Sequence, residues 1–150
     1  MAEVLKGGCQ CGKIRFAVTG PVGHTSICHC RMCQKAFGNA FAPFTSVRNT
    51  DFRWTTEEPK RFQSSNFVRR GFCNACGTPL TYEEPGGMSI ATGAFDHPQT
   101  LAPIIQWGVE GRLPWMDGLN DLPAKRTEED LAEEAAFLKD LVSYQYPDED

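Results

Sequence analysis

The chain of 150 residues contains seven cysteines, and their spacing divides them into three groups. These groups are Cys9 with Cys11, then Cys28, Cys30 and Cys33, and finally Cys73 with Cys76. Zinc takes four thiolates in a structural site, whereas a site with three protein ligands keeps one position open for chemistry. Because four and three account for all seven cysteines, the spacing predicts two zinc ions per chain, one structural and one able to act on a substrate.

The first and last cysteine pairs share a Cys-Gly ending. They lie in Gly8-Cys9-Gln10-Cys11-Gly12 and in Phe72-Cys73-Asn74-Ala75-Cys76-Gly77. Glycine lets the backbone turn through positive φ, so that amide groups can point at the sulfurs. We therefore expect Cys9, Cys11, Cys73 and Cys76 to form a tetrahedral structural zinc site that joins the first strand to the middle of the domain.

The central group, Cys28-His29-Cys30-Arg31-Met32-Cys33, is predicted to hold the second zinc. In an extended segment Cys28 and Cys30 point to one face and His29 to the other. Three thiolates leave a fourth position for water or a substrate sulfur, and a thiol bound to zinc is a nucleophile at neutral pH. Cys28, Cys30 and Cys33 are therefore the candidate catalytic residues, suited to attack of a bound thiol on a small electrophile or to the reverse carbon–sulfur cleavage.

Three other interpretations of the cysteines stay open at this point. A fourth protein ligand, His24 or His97, would close the second site and make it structural, whereas His29 is poorly aimed. Without metal, the central group would be a redox-active triplet. A disulfide framework is disfavoured because the count is odd, no export signal is visible, and the spacings C-x-C and C-x-x-C are typical of metal sites.

Composition favours a soluble protein of the cytoplasm. Hydrophobic residues make up 41% and charged residues 23%, and no run approaches the ~20 apolar residues of a membrane span. The net charge is −4, with 12 basic and 8 acidic residues in 1–115 against 3 and 11 in 116–150. The positive charge is too small to indicate nucleic-acid binding, so we expect neither a nucleic acid nor a membrane as partner. Oligomeric state is not predicted.

Alternating and β-branched segments predict a mainly β fold. Pro43 lies inside one of them and predicts an edge strand or a bulge there. Pro85-Gly86-Gly87 is typical of a hairpin connection. The predicted strands are 13–18, 40–45, 52–54, 67–72, 80–83, 88–92 and 104–107.

Two helices are expected. A short one follows the three-cysteine motif from Arg31 to Phe37 and ends at Gly38. An acidic C-terminal helix starts at Thr127, with a capping box completed by Asp130. Its apolar stripe is formed by Leu131, Ala135, Leu138 and Val142. These elements predict one zinc-binding β domain over 1–115 and, over 116–150, a linker and an amphipathic helix packed on that domain.

The order of these motifs resembles the glutathione-dependent formaldehyde-activating enzyme family, also described as centromere-protein-V-like. The resemblance covers roughly residues 7–115 and includes the three cysteine motifs and Lys35. Its later parts are Ile90-Ala91-Thr92-Gly93-Ala94-Phe95-Asp96 and Arg112-Leu113-Pro114-Trp115. Family members often carry His-Ile before the last tryptophan, where this chain has Ile104-Ile105.

The resemblance implies a compact, mostly antiparallel β-tent. It also implies structural zinc at Cys9, Cys11, Cys73 and Cys76, and catalytic zinc at Cys28, Cys30 and Cys33. The activity it implies is that of a carbon–sulfur lyase of the S-(hydroxymethyl)glutathione synthase type, which joins formaldehyde to a small thiol such as glutathione. The alternative function is a zinc-stabilised protein-interaction or chaperone module without catalysis.

Overall fold

The computed structural model describes residues 3–130 and 136–148, and within them the protein is mainly β. Two compact units are present: one runs to Arg112 and resumes at Gln145, and the other is Leu113–Tyr144. The strands of the first unit are β1 (Leu5–Gly8), β2 (Arg15–Val18), β3 (Thr25–Cys28), β4 (Ala42–Val47), β5 (Phe52–Trp54), β6 (Lys60–Gln63), β7 (Arg69–Phe72), β8 (Pro79–Glu84), β9 (Gly87–Ala91) and β10 (Pro103–Trp107).

These strands form a three-stranded sheet in the order β1-β2-β5 and a seven-stranded sheet in the order β10-β3-β4-β9-β8-β7-β6. All the described pairings are antiparallel except that of β10 with β3. The sequence predicted β5 with the observed ends and β2, β4, β7, β8, β9 and β10 with shifted ends, and it missed β1, β3 and β6. The mainly β fold class is thus confirmed.

Pro43 shows why one expectation was wrong. β4 is an interior strand between β3 and β9 rather than an edge strand. Pro43 pairs with Ile27 of β3, but the register with β9 begins only at Phe44, opposite Ala91. The proline therefore lies where the strand still has a single neighbour, so its missing N–H leaves no gap in the β9 ladder.

The core of the first unit lies around Phe16, which is 1% exposed. Its ring meets Trp54 and Phe95 edge-on, at centroid distances of 6.1 and 5.2 Å. Gly7 of β1 forms an isolated bridge to Phe95, in the segment after β9. Edge-to-face rings of this kind add to the burial energy and fix the relative placement of the small sheet and that segment.

Helix α1 (Arg31–Phe37) follows the three-cysteine motif as predicted and ends at Gly38, whose φ is 58°. In the second unit α2 spans Thr127–Asp130, and a 3₁₀ helix spans Ala136–Asp140. The C-terminal helix was expected to continue through Leu131 and Ala135, which lie outside the described residues, and Val142 lies past the last described helix. Its packing on the β domain, and the domain boundary at 115, stay predictions. No described helix is both long and apolar enough to cross a bilayer.

A buried ion pair generates the first prediction. Arg15 Nη1 and Nη2 donate to Asp96 Oδ1 and Oδ2 over 2.9 and 2.7 Å, and the side chains are 8% and 7% exposed. Asp96→Ala leaves the guanidinium buried without its carboxylate, so we expect the free energy of unfolding to fall by about 3–5 kcal/mol in urea titrations.

The matched control is the exposed pair of Lys13 and Glu57, 3.7 Å apart with side chains 42% and 63% exposed. Because solvent screens this pair, Glu57→Ala should change the unfolding free energy by less than about 1 kcal/mol. Equal losses in the two variants would contradict the assignment of Arg15 and Asp96 as a structural pair.

Candidate metal centres

The four predicted structural cysteines come together in the fold. All sulfur atoms of Cys9, Cys11, Cys73 and Cys76 lie within 4.8 Å of one another. The Sγ atoms of Cys9 and Cys11 are 3.6 Å apart, and those of Cys11 and Cys73 are 3.9 Å apart. Tetrahedral Zn–S bonds of about 2.3 Å separate the sulfurs by about 3.8 Å, so this donor set fits zinc.

Two glycine turns shape this four-cysteine cluster. Gly12 and Gly77 have φ values of 78° and 82°, as expected for the glycine after each second cysteine. The N–H of Gly12 donates to the carbonyl of Cys9 over 3.0 Å, and that of Gly77 to the carbonyl of Cys73 over 2.8 Å. A side chain at positive φ would be strained, so glycine allows a tight turn after each cysteine pair. We call these two turns knuckles, one at Cys9 and Cys11 and the other at Cys73 and Cys76.

Thr78 links the two knuckles, and sequence reasoning missed it. Its hydroxyl oxygen accepts the N–H of Gln10 over 3.0 Å and lies 3.2 Å from the sulfur of Cys76. Because the oxygen already accepts from Gln10, the hydroxyl hydrogen is available to Cys76. On the other knuckle, the N–H of Ile14 donates to the sulfur of Cys9 over 3.3 Å. The signal in the sequence for this role of Thr78 is a threonine two residues after the last cysteine.

The C-terminal segment of the first unit covers the first knuckle. The N–H of Tyr146 donates to the carbonyl of Gln10 over 2.7 Å, and the Tyr146 ring contacts Gly12 closely enough to exclude a β-carbon there. The guanidinium of Arg15 lies 4.9 Å from the centre of the same ring. Gly12 is therefore required twice, by its backbone conformation and by this close approach.

The thiols of this cluster differ in their tendency to ionise. Burial raises the pKa of Cys9 to about 12, although the N–H of Ile14 opposes the rise. Burial also acts on Cys76, but hydrogen bonds from Thr78, Cys11 and Cys73 together outweigh it and lower its pKa to about 6. Since zinc binds thiolates, loading the cluster must release the proton of Cys9.

The three-cysteine cluster is likewise assembled. The sulfurs of Cys28, Cys30 and Cys33 lie within 4.8 Å of one another, and across residues 3–130 and 136–148 no histidine or carboxylate joins them. Cys28 ends β3, Cys30 is the N-cap of α1, and Cys33 lies in its first turn. The N–H of Cys33 donates to the sulfur of Cys30 over 3.4 Å. Three thiolates in this arrangement fit a zinc ion with an open position.

A turn after β10 supports the three-cysteine segment. Trp107 pairs with Cys28, and its carbonyl accepts the N–H of His29 over 2.9 Å. A β-carbon on Gly111 would lie 2.7 Å from the carbonyl oxygen of His29. Gln34 of α1 is 4% exposed, and its Nε2 donates to the carbonyls of both His29 and Gly111 over 2.9 Å. Backbone contacts therefore fix the path of the cysteine segment.

The three histidines occupy different places. His29 is fully buried and lies outside the cluster of possible ligands, and its Nε2 lies 2.7 Å from Oε1 of Gln106. His24 lines the same cavity as the cysteines but lies outside the cluster of possible ligands. His97 lines another cavity, beside Leu101. The positions of these side chains favour an open site over a closed one.

A cavity of about 340 Å³ lies beside the three cysteines. Its walls combine aromatic, hydroxyl and charged side chains. Besides the cysteines they comprise His24, Ser26, Met32, Phe44, Ser46, Arg70, Tyr82, Glu84, Ser89 and Trp107. Ligand cavities commonly measure roughly 300–1,000 Å³, so this one is suited to a small substrate.

Arg70 of β7 reaches the cluster from across the sheet. Its Nη2 donates to the sulfur of Cys33 over 3.3 Å. Burial raises the pKa of the Cys33 thiol to about 12, and the hydrogen bond and charge of Arg70 act against that rise. Arg31, which follows Cys30 in sequence, has a different partner, since its Nη1 donates to Gln34 Oε1 over 3.3 Å.

Comparisons with known proteins add to this geometry. Residues 4–110 match the family described as glutathione-dependent formaldehyde-activating enzyme. The chain is 28% identical over 82 residues to a protein of Schizosaccharomyces pombe named as an uncharacterized lyase, and the match covers 55% of this chain and 59% of that relative. A crystal structure of a Rhodobacter sphaeroides protein is similar with a TM-score of 0.55 and 20% identity, over 67% of this chain and 98% of that one. The last similarity concerns the fold alone.

The turn after β10 generates a prediction about metal retention. A methyl group at residue 111 would press on the His29 carbonyl, so Gly111→Ala should displace the three-cysteine segment and destabilise the fold by about 1–3 kcal/mol. We expect this variant to lose zinc first from the three-cysteine cluster, as measured by metal content after dialysis against a chelator. Gly93→Ala is the control, because its methyl would meet nothing within 4 Å. Loss of zinc from both variants alike would refute the supporting role of the turn.

The third prediction concerns Thr78. Replacing it by the isosteric valine removes the acceptor of Gln10 N–H and the hydroxyl beside Cys76. Losing such outer contacts typically costs 10–100-fold in metal affinity, so we expect a decrease of about that size at the four-cysteine cluster. Competition with a zinc chelator measures it, and Thr55→Val at the exposed Thr55 should leave the affinity unchanged. An unaltered affinity in Thr78→Val would show that the hydroxyl does not support the cluster.

Proposed function

The chain belongs to the glutathione-dependent formaldehyde-activating enzyme family, which residues 4–110 match, and we propose that it is a zinc-dependent carbon–sulfur lyase acting on a small thiol and an aldehyde. The observation that carries this proposal is the three-cysteine cluster, which opens on a cavity of about 340 Å³. The glutathione-like thiol and formaldehyde are proposed as substrates from the family and from the modest size of the cavity.

The proposal assigns a separate role to each cysteine group. Cys28, Cys30 and Cys33 hold the catalytic zinc, which supplies an open coordination position and keeps a substrate thiol deprotonated at neutral pH. Cys9, Cys11, Cys73 and Cys76 hold a second, structural zinc, so the loaded protein carries two ions per chain. The closed spacing of the four sulfurs supports this division.

The reaction is an addition in which all atoms are kept. The sulfur lone pair forms a bond to the carbonyl carbon of the aldehyde, and the π electrons of the carbonyl move onto its oxygen. That oxygen takes a proton from solvent, which balances the proton lost by the thiol and gives an S-hydroxymethyl product. The reverse direction breaks the carbon–sulfur bond.

Other residues of the cavity prepare the site for this addition. Phe44 and Trp107 give it apolar walls, which limit the water near the reacting sulfur. Gln34 and the turn after β10 hold the cysteine segment in place through backbone contacts. A rigid placement of the sulfur and the carbonyl carbon reduces the entropic cost of bringing two reactants together.

Cys30→Ser tests the proposal with little damage to the fold. Serine is among the best N-cap residues, so α1 keeps its cap while the metal loses a thiolate. We expect this variant to lose at least about 100-fold in the rate at which the zinc protein exchanges glutathione and formaldehyde with their adduct, measured by exchange NMR. Its unfolding free energy should change little.

Cys11→Ser serves as the matched control. It removes a ligand of the proposed structural zinc, so its main effect should be a lower free energy of unfolding rather than a change at the cavity. Zinc X-ray absorption of the wild-type protein completes the test. Four protein ligands on both metals, together with unchanged exchange in Cys30→Ser, would overturn the proposal and favour the protein-interaction module instead.

A further inference from the structure

Arg70 is a buried cation of the first unit that has no carboxylate partner among the described residues. Arg70 is 4% exposed, and its Nη1 has no hydrogen-bond partner in the part of the chain that the structure describes. Its Nε donates to the hydroxyl of Ser64 over 2.8 Å, and its guanidinium lies 5.1 Å from the centre of the Tyr82 ring. The ion pairs found in residues 3–130 and 136–148 do not include it.

A buried charge without an opposite charge is unfavourable, so the positive charge of Arg70 requires compensation. The other buried guanidinium of this unit, that of Arg15, illustrates the usual solution, since it forms two hydrogen bonds to Asp96. Arg70 is hydrogen-bonded to Ser64 and Cys33, and of these two groups the Cys33 sulfur, 3.3 Å from Nη2, is the one that can carry a negative charge. The partner of Arg70 is therefore the three-cysteine cluster itself.

Charges at the cluster then balance in a specific way. Three thiolates and a zinc ion carry a net charge of −1, and the guanidinium brings the total to zero. An incoming anion at the open position raises the negative charge to −1, whereas without Arg70 it would reach −2. A neutral incoming ligand leaves the net charge unchanged, with or without Arg70.

We propose that Arg70 is a positioning residue that sets the charge selectivity of the three-cysteine site, so that the open position accepts an anionic sulfur in preference to a neutral ligand. This inference rests on the proposed function, because it assumes a metal with an open position. It goes further by naming the class of ligand selected, a thiolate, and the residue responsible. Arg70 acts through its hydrogen bond to Cys33 and through the electric field of its positive charge.

Binding of two probes to the cobalt-substituted protein tests the inference without measuring turnover. Azide is an anion and imidazole is neutral at pH 8, and each changes the visible spectrum of cobalt when it enters the open position. In Arg70→Gln, which keeps N–H donors but not the charge, azide should bind about 10–100-fold more weakly. Imidazole should bind within about 3-fold of its wild-type affinity, because a neutral ligand is little affected by the lost charge.

Two further variants separate the effect of the Arg70 charge from a disruption of the site's structure. Arg70→Lys keeps the positive charge and should retain most of the preference for azide. Arg69→Gln changes the adjacent residue, whose side chain is 58% exposed and pairs with Glu83 over 3.2 Å, and should leave both affinities unchanged. If Arg70→Gln does not hold cobalt, Arg70→Lys still decides, because loss of the azide preference in a fully loaded lysine variant would overturn the inference.

The outcomes distinguish this inference from the proposed function. Equal weakening of azide and imidazole in Arg70→Gln would mean that Arg70 only maintains the structure of the site, and unchanged affinities would mean that it has no influence. In either case the inference about Arg70 is overturned, whereas the proposed function, which is tested by thiol exchange in the wild-type protein, is unaffected. If neither probe enters the wild-type site, there is no open position, and the proposed function and the inference are both overturned.

Discussion

The contact between the two cysteine knuckles is the interaction on which the arrangement of the sheets depends. Cys9 follows β1 of the small sheet, and Cys73 follows β7 of the large one. Their sulfurs belong to one cluster, and Cys11 and Cys73 are separated by 62 positions in sequence. Structural zinc in small domains contributes about 10–16 kcal/mol, comparable with the whole stability of a typical domain at about 5–15 kcal/mol. With zinc bound, the four sulfurs fasten β1 to the end of β7, beside the core around Phe16.

The three-cysteine cluster is held in a different way, by backbone contacts between distant segments. β10 returns to pair with β3 in parallel, which places Trp107 beside Cys28 and the following turn against Cys30. Gln34 then joins α1 to that turn over 77 positions of sequence. Because none of these contacts uses a cysteine sulfur, they hold the segment without occupying its possible metal ligands. An open metal site requires a rigidly held backbone whose ligand atoms are available to the metal.

The sequence was sufficient to group the cysteines and insufficient for what surrounds them. Spacing and the Cys-Gly endings are local signals, and each of the two groups they predicted has its sulfurs within 4.8 Å of one another. Helix α1 and the hairpin of β8 and β9 were predicted for the same reason. Arg70, Thr78 and Gln34 were not assigned to the site, since their roles arise from strand register and from segments that meet only in the fold. The edge assignment of Pro43 failed because it depends on where the pairing with β9 begins.

The two clusters also differ in how their negative charge is stabilised, and this difference bears on function. At the four-cysteine cluster the described hydrogen bonds to sulfur come from neutral groups, among them the N–H of Ile14 and the hydroxyl of Thr78. At the three-cysteine cluster a full positive charge, Arg70, is buried against one sulfur. A saturated structural site needs only enough hydrogen bonding to hold its thiolates. A site that must take up one more anion benefits from a cation already in place, and burying that cation is favourable only beside the thiolates. The position of Arg70 therefore distinguishes the two clusters by chemistry as well as by ligand number.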